Sequence, residues 1–181
     1  MERGWASEIL DYWFEALGAD RWWTRSDAVD AEIRTRFAEL WEAQRHGKAE
    51  DYLDSRDRAL ATIILFDQFP RNLFRHEARA FATDVLARAI AEGAIARGYD
   101  AGFDTHHRHF LYMPFMHSES LADQRRSLAL FEALGDDFAL GFAREHHDLI
   151  ARFGRFPHRN AALGRATLPE EEAAVEEGAV W

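Results

Sequence analysis

Apolar residues along this chain recur at spacings of three and four, and most of the runs end at a glycine or ahead of a proline. The first run, Ser7 to Leu17, aligns Ile9, Leu10, Trp13, Phe14 and Leu17 behind Ser7 as N-cap, and Gly18 closes it. After the link GADRWWTRSD, Val29, Ile33, Phe37, Leu40 and Trp41 form the stripe of a helix from about Asp27 to His46, stopped by Gly47. Arg56 to Phe69 carries Leu60, Ile63 and Ile64, with Asp67 on the face of Ile63, and Pro70 predicts a turn there because it disfavours helical geometry in Phe69. An alanine-rich helix from about Glu77 to Arg97 follows, with Phe81, Val85, Leu86, Ala89 and Ile90 as its buried stripe and Gly98 as its stop.

The second half keeps the same period. His106 to Met116 reads as helical until Pro114, and Ser118 or Ser120 caps a helix carrying Leu121, Leu128, Phe131 and Leu134 up to Gly135. Asp136 or Asp137 opens the next, which places Phe138, Phe142, His146, Leu149, Ile150 and Phe153 on one face and stops at Gly154. That register predicts a buried His146 beside a more exposed His147. Thr167-Leu-Pro-Glu170 reads as a capping box before a short acidic surface helix. No stretch sustains strand alternation and none is linker-like, so the expected fold is all-α, one domain over residues 1–181, with 166–181 as an acidic C-terminal segment.

Composition narrows the function. A chain of 181 residues can bury a core without staples, and the absence of cysteine removes disulfides, thiolate metal sites and a cysteine nucleophile while agreeing with a reducing, cytoplasmic setting. The start MERGWASEILDYWF is not an export signal and no apolar run is long enough to span a bilayer, so no membrane role is expected. A net charge of −10 argues against a sequence-independent nucleic-acid binder. Lys48 is the sole lysine, so the cationic chemistry belongs to arginine.

Three polar motifs stand out against this acidic background. RFGRFPHRNAALGR, from Arg152 to Arg165, sets four arginines, His158 and Asn160 among aromatic residues; DQFPRN, from Asp67 to Asn72, echoes it; RHFLYMPFMHSE runs from Arg108 to Glu119. Together with ILDYWF (Ile9 to Phe14), RAFATD (Arg79 to Asp84) and LADQRRS (Leu121 to Ser127), they make the whole chain resemble the bacterial family called domain of unknown function 924. That resemblance implies a tetratricopeptide-like array of antiparallel helices and no established activity. Val29 stands where the family pattern suggests an aromatic residue, and no regular 34-residue repeat is visible.

Guanidinium forks pair bidentately with carboxylate or phosphate, so an Arg/His-rich pocket for a small anionic metabolite is one reading of the motifs. Its candidate residues are Asp67, Arg71, Asn72, Arg108, Tyr112, His117, Glu119, His146, Arg155, His158, Arg159 and Asn160, with the histidines available for proton transfer. The competing reading is structural: the arginines pair with carboxylates such as Asp67, Arg71 being its nearest partner, or cap helix ends. In that case the chain is an interaction module whose groove takes a peptide or protein partner. Adjacent His146 and His147 point apart on a helix, and His106 with His109 lacks a full ligand set, so no metal is expected. Ser118 fits a cap better than a nucleophile, and neither familiar nucleotide-binding loop is present, so no cofactor is expected.

Overall fold

The computed structural model describes residues 4–176. Helix α1 (Trp5–Leu10) continues as a π-helical stretch, Asp11–Leu17, and one turn of α2 (Ala19–Trp22) occupies the link expected to be irregular. Next come α3 (Asp27–Gln44), then α4 (Arg56–Ile63), which passes through the π-helical segment Ile64–Gln68 into α5 (Phe69–Leu73). Four longer helices follow in the order α6 (Asp84–Ala96), α7 (Thr105–Met116), α8 (Leu121–Leu134) and α9 (Asp137–Phe153), and α10 (Pro169–Glu176) closes the described chain. There is no strand among the described residues.

Successive helices α7, α8 and α9 pack side by side, while α4 lies against α1, α6 and α7 and is the centre of the fold. Every residue of α4 from Ala59 onward is buried, as is the π-helical segment through Asp67. One continuous hydrophobic cluster runs from Ile9 to Ala143, with Trp41, Phe37, Phe66, Phe69 and Phe110 among its fully buried rings. Val29 is buried within it despite its small size.

Pro70 does not turn the chain. The N–H that proline lacks would have bonded the carbonyl of Phe66, four residues back. That carbonyl instead accepts the Thr83 hydroxyl at 2.6 Å, and Thr83 Oγ1 accepts the indole N–H of Trp41 at 3.2 Å. With the orphan acceptor satisfied and the ladder loosened to π geometry ahead of the ring, the helix runs on to Leu73. Pro114 is likewise tolerated inside α7.

Other boundaries differ from the expected ones for equally local reasons. Ser7 lies inside α1, which begins behind Gly4. The stretch before Asp84 is a 3₁₀ turn, Ala78–Phe81, and α6 buries Ala87, Ile90, Ala91 and Ala94, leaving Val85 exposed. The small alanine face won over the larger side chains because it lets α6 approach α4 closely. On α9 the buried face is Ala139, Ala143, His146 and Ile150, so Phe138 is 62% exposed. Ser120 is the cap of α8 and Asp136 that of α9. At α10 the acidic residue that reaches back is Glu171, accepting the Leu168 N–H at 2.9 Å, and not Glu170. Glu171 and Ala174 are buried, so the acidic helix is docked, against the 3₁₀ turn Pro157–Arg159. The remainder of the expected acidic segment, 177–181, lies outside the described residues.

Candidate functional site

Two motifs meet because α4 and α7 pack together and bring Asp67 opposite His117. Asp67 is fully buried, and the His117 Nδ1 stands 2.8 and 2.9 Å from its two oxygens. The Gln68 amide adds a hydrogen bond at 2.6 Å. Burial alone would raise the Asp67 carboxyl, but His117 and Arg71 outweigh it and hold it down at about 2. Burial also lowers the His117 imidazole, and the opposing pull of Asp67 does not restore it, so this is a carboxylate beside a neutral ring at neutral pH.

Arg71 prefers a different partner from the one sequence proximity suggests. Its nearest approach to the Asp67 carboxylate is 3.6 Å, whereas it forks onto Asp84 at 2.9 and 3.0 Å. Asp84, the last residue of RAFATD, was absent from the expected site although its motif was in view. It sits in the first turn of α6, within reach of the 3₁₀ turn that follows α9. From that turn Arg159 donates to Asp84 Oδ2 at 3.1 Å and to the His117 carbonyl at 3.0 Å, and its guanidinium lies against the Phe81 and Phe156 rings at 4.5 and 4.7 Å. DQFPRN, MHSE and RFPHRN thus converge through Asp84 and His117.

The two cations on Asp84 are not equivalent. Arg71 is held above its ordinary value because Asp84 and Asp67 outweigh its burial. Arg159, 6% exposed, is lowered to about 10, mainly by burial, with Arg71 adding to the effect. Its Nε–H is buried without a hydrogen-bond acceptor among the described residues. The two guanidiniums are felt by the neighbouring His158 imidazole: burial, then Arg159 and Arg71, push it down to about 3. His146, 3% exposed, is pushed to about 3 by burial and then by His117. It keeps Nδ1 on the Phe142 carbonyl at 2.7 Å, with its ring 6.0 Å from that of His117. His147, next in the chain, is half-buried against Asp148.

The other candidates lie in separate clusters. Arg155 forks onto Glu171 at 2.6 and 2.9 Å, and Asn160 donates to the same carboxylate at 3.0 Å. Glu119 accepts a fork from Arg165 at 2.8 and 2.9 Å and the Phe156 N–H at 2.8 Å. These pairs fasten the C-terminal segment to the link between α7 and α8 and to α10; Arg165, the last arginine of its motif, and Glu171 are not among the candidate residues. Asn72 turns away to Asp30, beside Arg75, at the edge of an open recess of about 280 Å³. Arg108 bonds the Phe103 carbonyl and Tyr112 the Asp100 carboxylate, both near the turn Tyr99–Gly102. Among the described residues no group of three or more His, Asp or Glu side chains is placed to hold a metal, and no helix is long and apolar enough to cross a membrane.

The family model described as "Bacterial protein of unknown function (DUF924)" matches residues 9–179. The chain belongs to the DUF924 family. A solved protein of unknown function from Agrobacterium tumefaciens is similar to this DUF924 chain at 43% identity, with a TM-score of 0.89 over 96% of this chain and 97% of that one. No curated protein matches.

Proposed function

We propose that this DUF924 protein binds a small oxyanion, carboxylate or phosphate, where Arg159 meets Arg71 and His117. The observation that carries the reading is the state of Arg159: a buried guanidinium that shares its one carboxylate with a second arginine and keeps an Nε–H without an acceptor. A guanidinium so placed costs free energy in the apo fold, and an oxyanion would relieve it by adding both charge and acceptors. Arg155 and Arg165 are already forked onto carboxylates and serve to hold the segment that delivers Arg159.

The test is a thermal-shift screen of phosphorylated and carboxylated metabolites against the parent, Arg159→Ala and Arg155→Ala. Ligand at about a hundred times its dissociation constant contributes roughly 2.7 kcal/mol, which for this length raises the midpoint by several degrees. The shift should vanish in Arg159→Ala and persist in Arg155→Ala. If no anion shifts the parent, the interaction-module reading takes its place; Phe138, exposed on α9 beside Phe142 and a shallow recess of about 320 Å³, is the observation on its side.

A further inference from the structure

The charged groups around Arg159 balance before any ligand arrives: Arg71 and Arg159 face Asp67 and Asp84, Glu119 beyond them is forked by Arg165, and the surrounding imidazoles are neutral. An anion entering this set leaves a net negative charge in a buried place, and a proton is the cheapest compensation. His117 offers a place for that proton. With Nδ1–H committed to Asp67, the neutral His117 ring presents a lone pair at Nε2, and a lone pair repels an oxyanion.

We infer that His117 takes up one proton when the oxyanion binds and then donates its Nε2–H to it, with Asp67 as the fixed counter-charge. This rests on the anion site just proposed. The proton comes from solvent and forms the Nε2–H bond; nothing else is made or broken. The groups facing His117 are Asp67 from the π-helical segment, Arg71 from α5, Asp84 from α6, His109 from α7, His146 from α9, and His158 and Arg159 from the segment beyond. Of these, Arg71 opposes protonation and Asp84 favours it, and the anion neutralises the opposition of Arg71 where it binds. Asp67, fully buried and in direct contact, favours protonation in both states. His146 is less suited, because its Nδ1 is held by a carbonyl dipole and not by a full charge.

Sulfate is the probe, since it does not titrate near neutral pH and any proton uptake then belongs to the protein. Titration calorimetry of sulfate in buffers of different ionisation enthalpy should show uptake approaching one proton per sulfate bound, and affinity should weaken by up to about tenfold per pH unit as His117 becomes harder to protonate. In His117→Asn the amide keeps a donor on Asp67 but cannot titrate, so sulfate should bind more weakly and without proton uptake. Imidazole nitrogen shifts of the parent should move to the imidazolium form at His117 on adding sulfate, a readout that needs no variant. Sulfate binding with no uptake, or with equal uptake in a folded His117→Asn, overturns the proton-coupled step and leaves the anion site standing. No sulfate binding to the parent, together with no hit in the metabolite screen, overturns both.

Discussion

Arg71 and Arg159 end on one carboxylate, that of Asp84. Asp84→Asn removes the charge that both guanidiniums rely on and leaves them adjacent in a largely buried place. We expect a loss of roughly 3–5 kcal/mol in urea unfolding, the range for breaking a buried ion pair. A variant as stable as the parent would show that water already screens this cluster.

Stability should fall on mild acidification. His146 and His158 have folded values of about 3 against an ordinary 6.5, so between those limits the unfolded chain binds protons that the folded one refuses. Their contribution is complete above 6.5 and is lost as pH falls towards 3, at up to about 1.4 kcal/mol per pH unit for each ring. Asp67 and Glu171, both depressed to about 2, contribute above the ordinary carboxylate range and lose that contribution as pH falls to about 2. Urea midpoints that do not change between neutral pH and pH 5 would contradict the neutral state of the two histidines.

Thr83→Val keeps the shape of the side chain and deletes the hydroxyl between Trp41 and Phe66. The Phe66 carbonyl, already deprived by Pro70, then has no donor in its place, and a loss of about 1–3 kcal/mol is expected. Amide exchange should quicken around the π-helical segment more than in α8. Uniform, unchanged exchange would mean that the helix tolerates Pro70 without this bond.

Glu171→Gln weakens the fastening of α10 by trading the charge that Arg155 and Asn160 share for a neutral amide. Limited proteolysis should then cut within 161–170 several times faster while the core, Ile9 to Ala143, stays protected. Equal cleavage rates would show that packing of Ala174 alone holds the helix.

The all-helical architecture was legible because spacing and stop signals agreed: Gly135 and Gly154 sit in left-handed backbone, at φ of 74° and 69°, where the apolar stripes end. The errors came where a distant residue settled a local conflict. Pro70 by its own chemistry predicts a turn, yet Thr83 supplies the missing bond from another part of the chain. Phe138 and Val85 looked buried by size, but the close approach of helices selected alanine faces. In the site, Asp67, His117, Arg71 and Arg159 were visible as unusual residues in motifs, whereas Asp84 looked like an ordinary first-turn acid. Its role follows only from two arginines approaching it, one from 13 residues before and one from 75 residues after.

Arg159 reaches Asp84 across 75 residues and His117 across 42, and it is the last of the five to emerge during synthesis. Until then Asp67, His117, Arg71 and Asp84 hold two carboxylates against one guanidinium, and Arg159 brings the cation that balances them. The charge that the ligand would recognise therefore follows in the chain behind the last residues of the hydrophobic cluster, Ile9 to Ala143. A ribosome stalled ahead of residue 159 would release a chain with most of its helices and no reason to hold an anion, so binding would report on completed molecules alone.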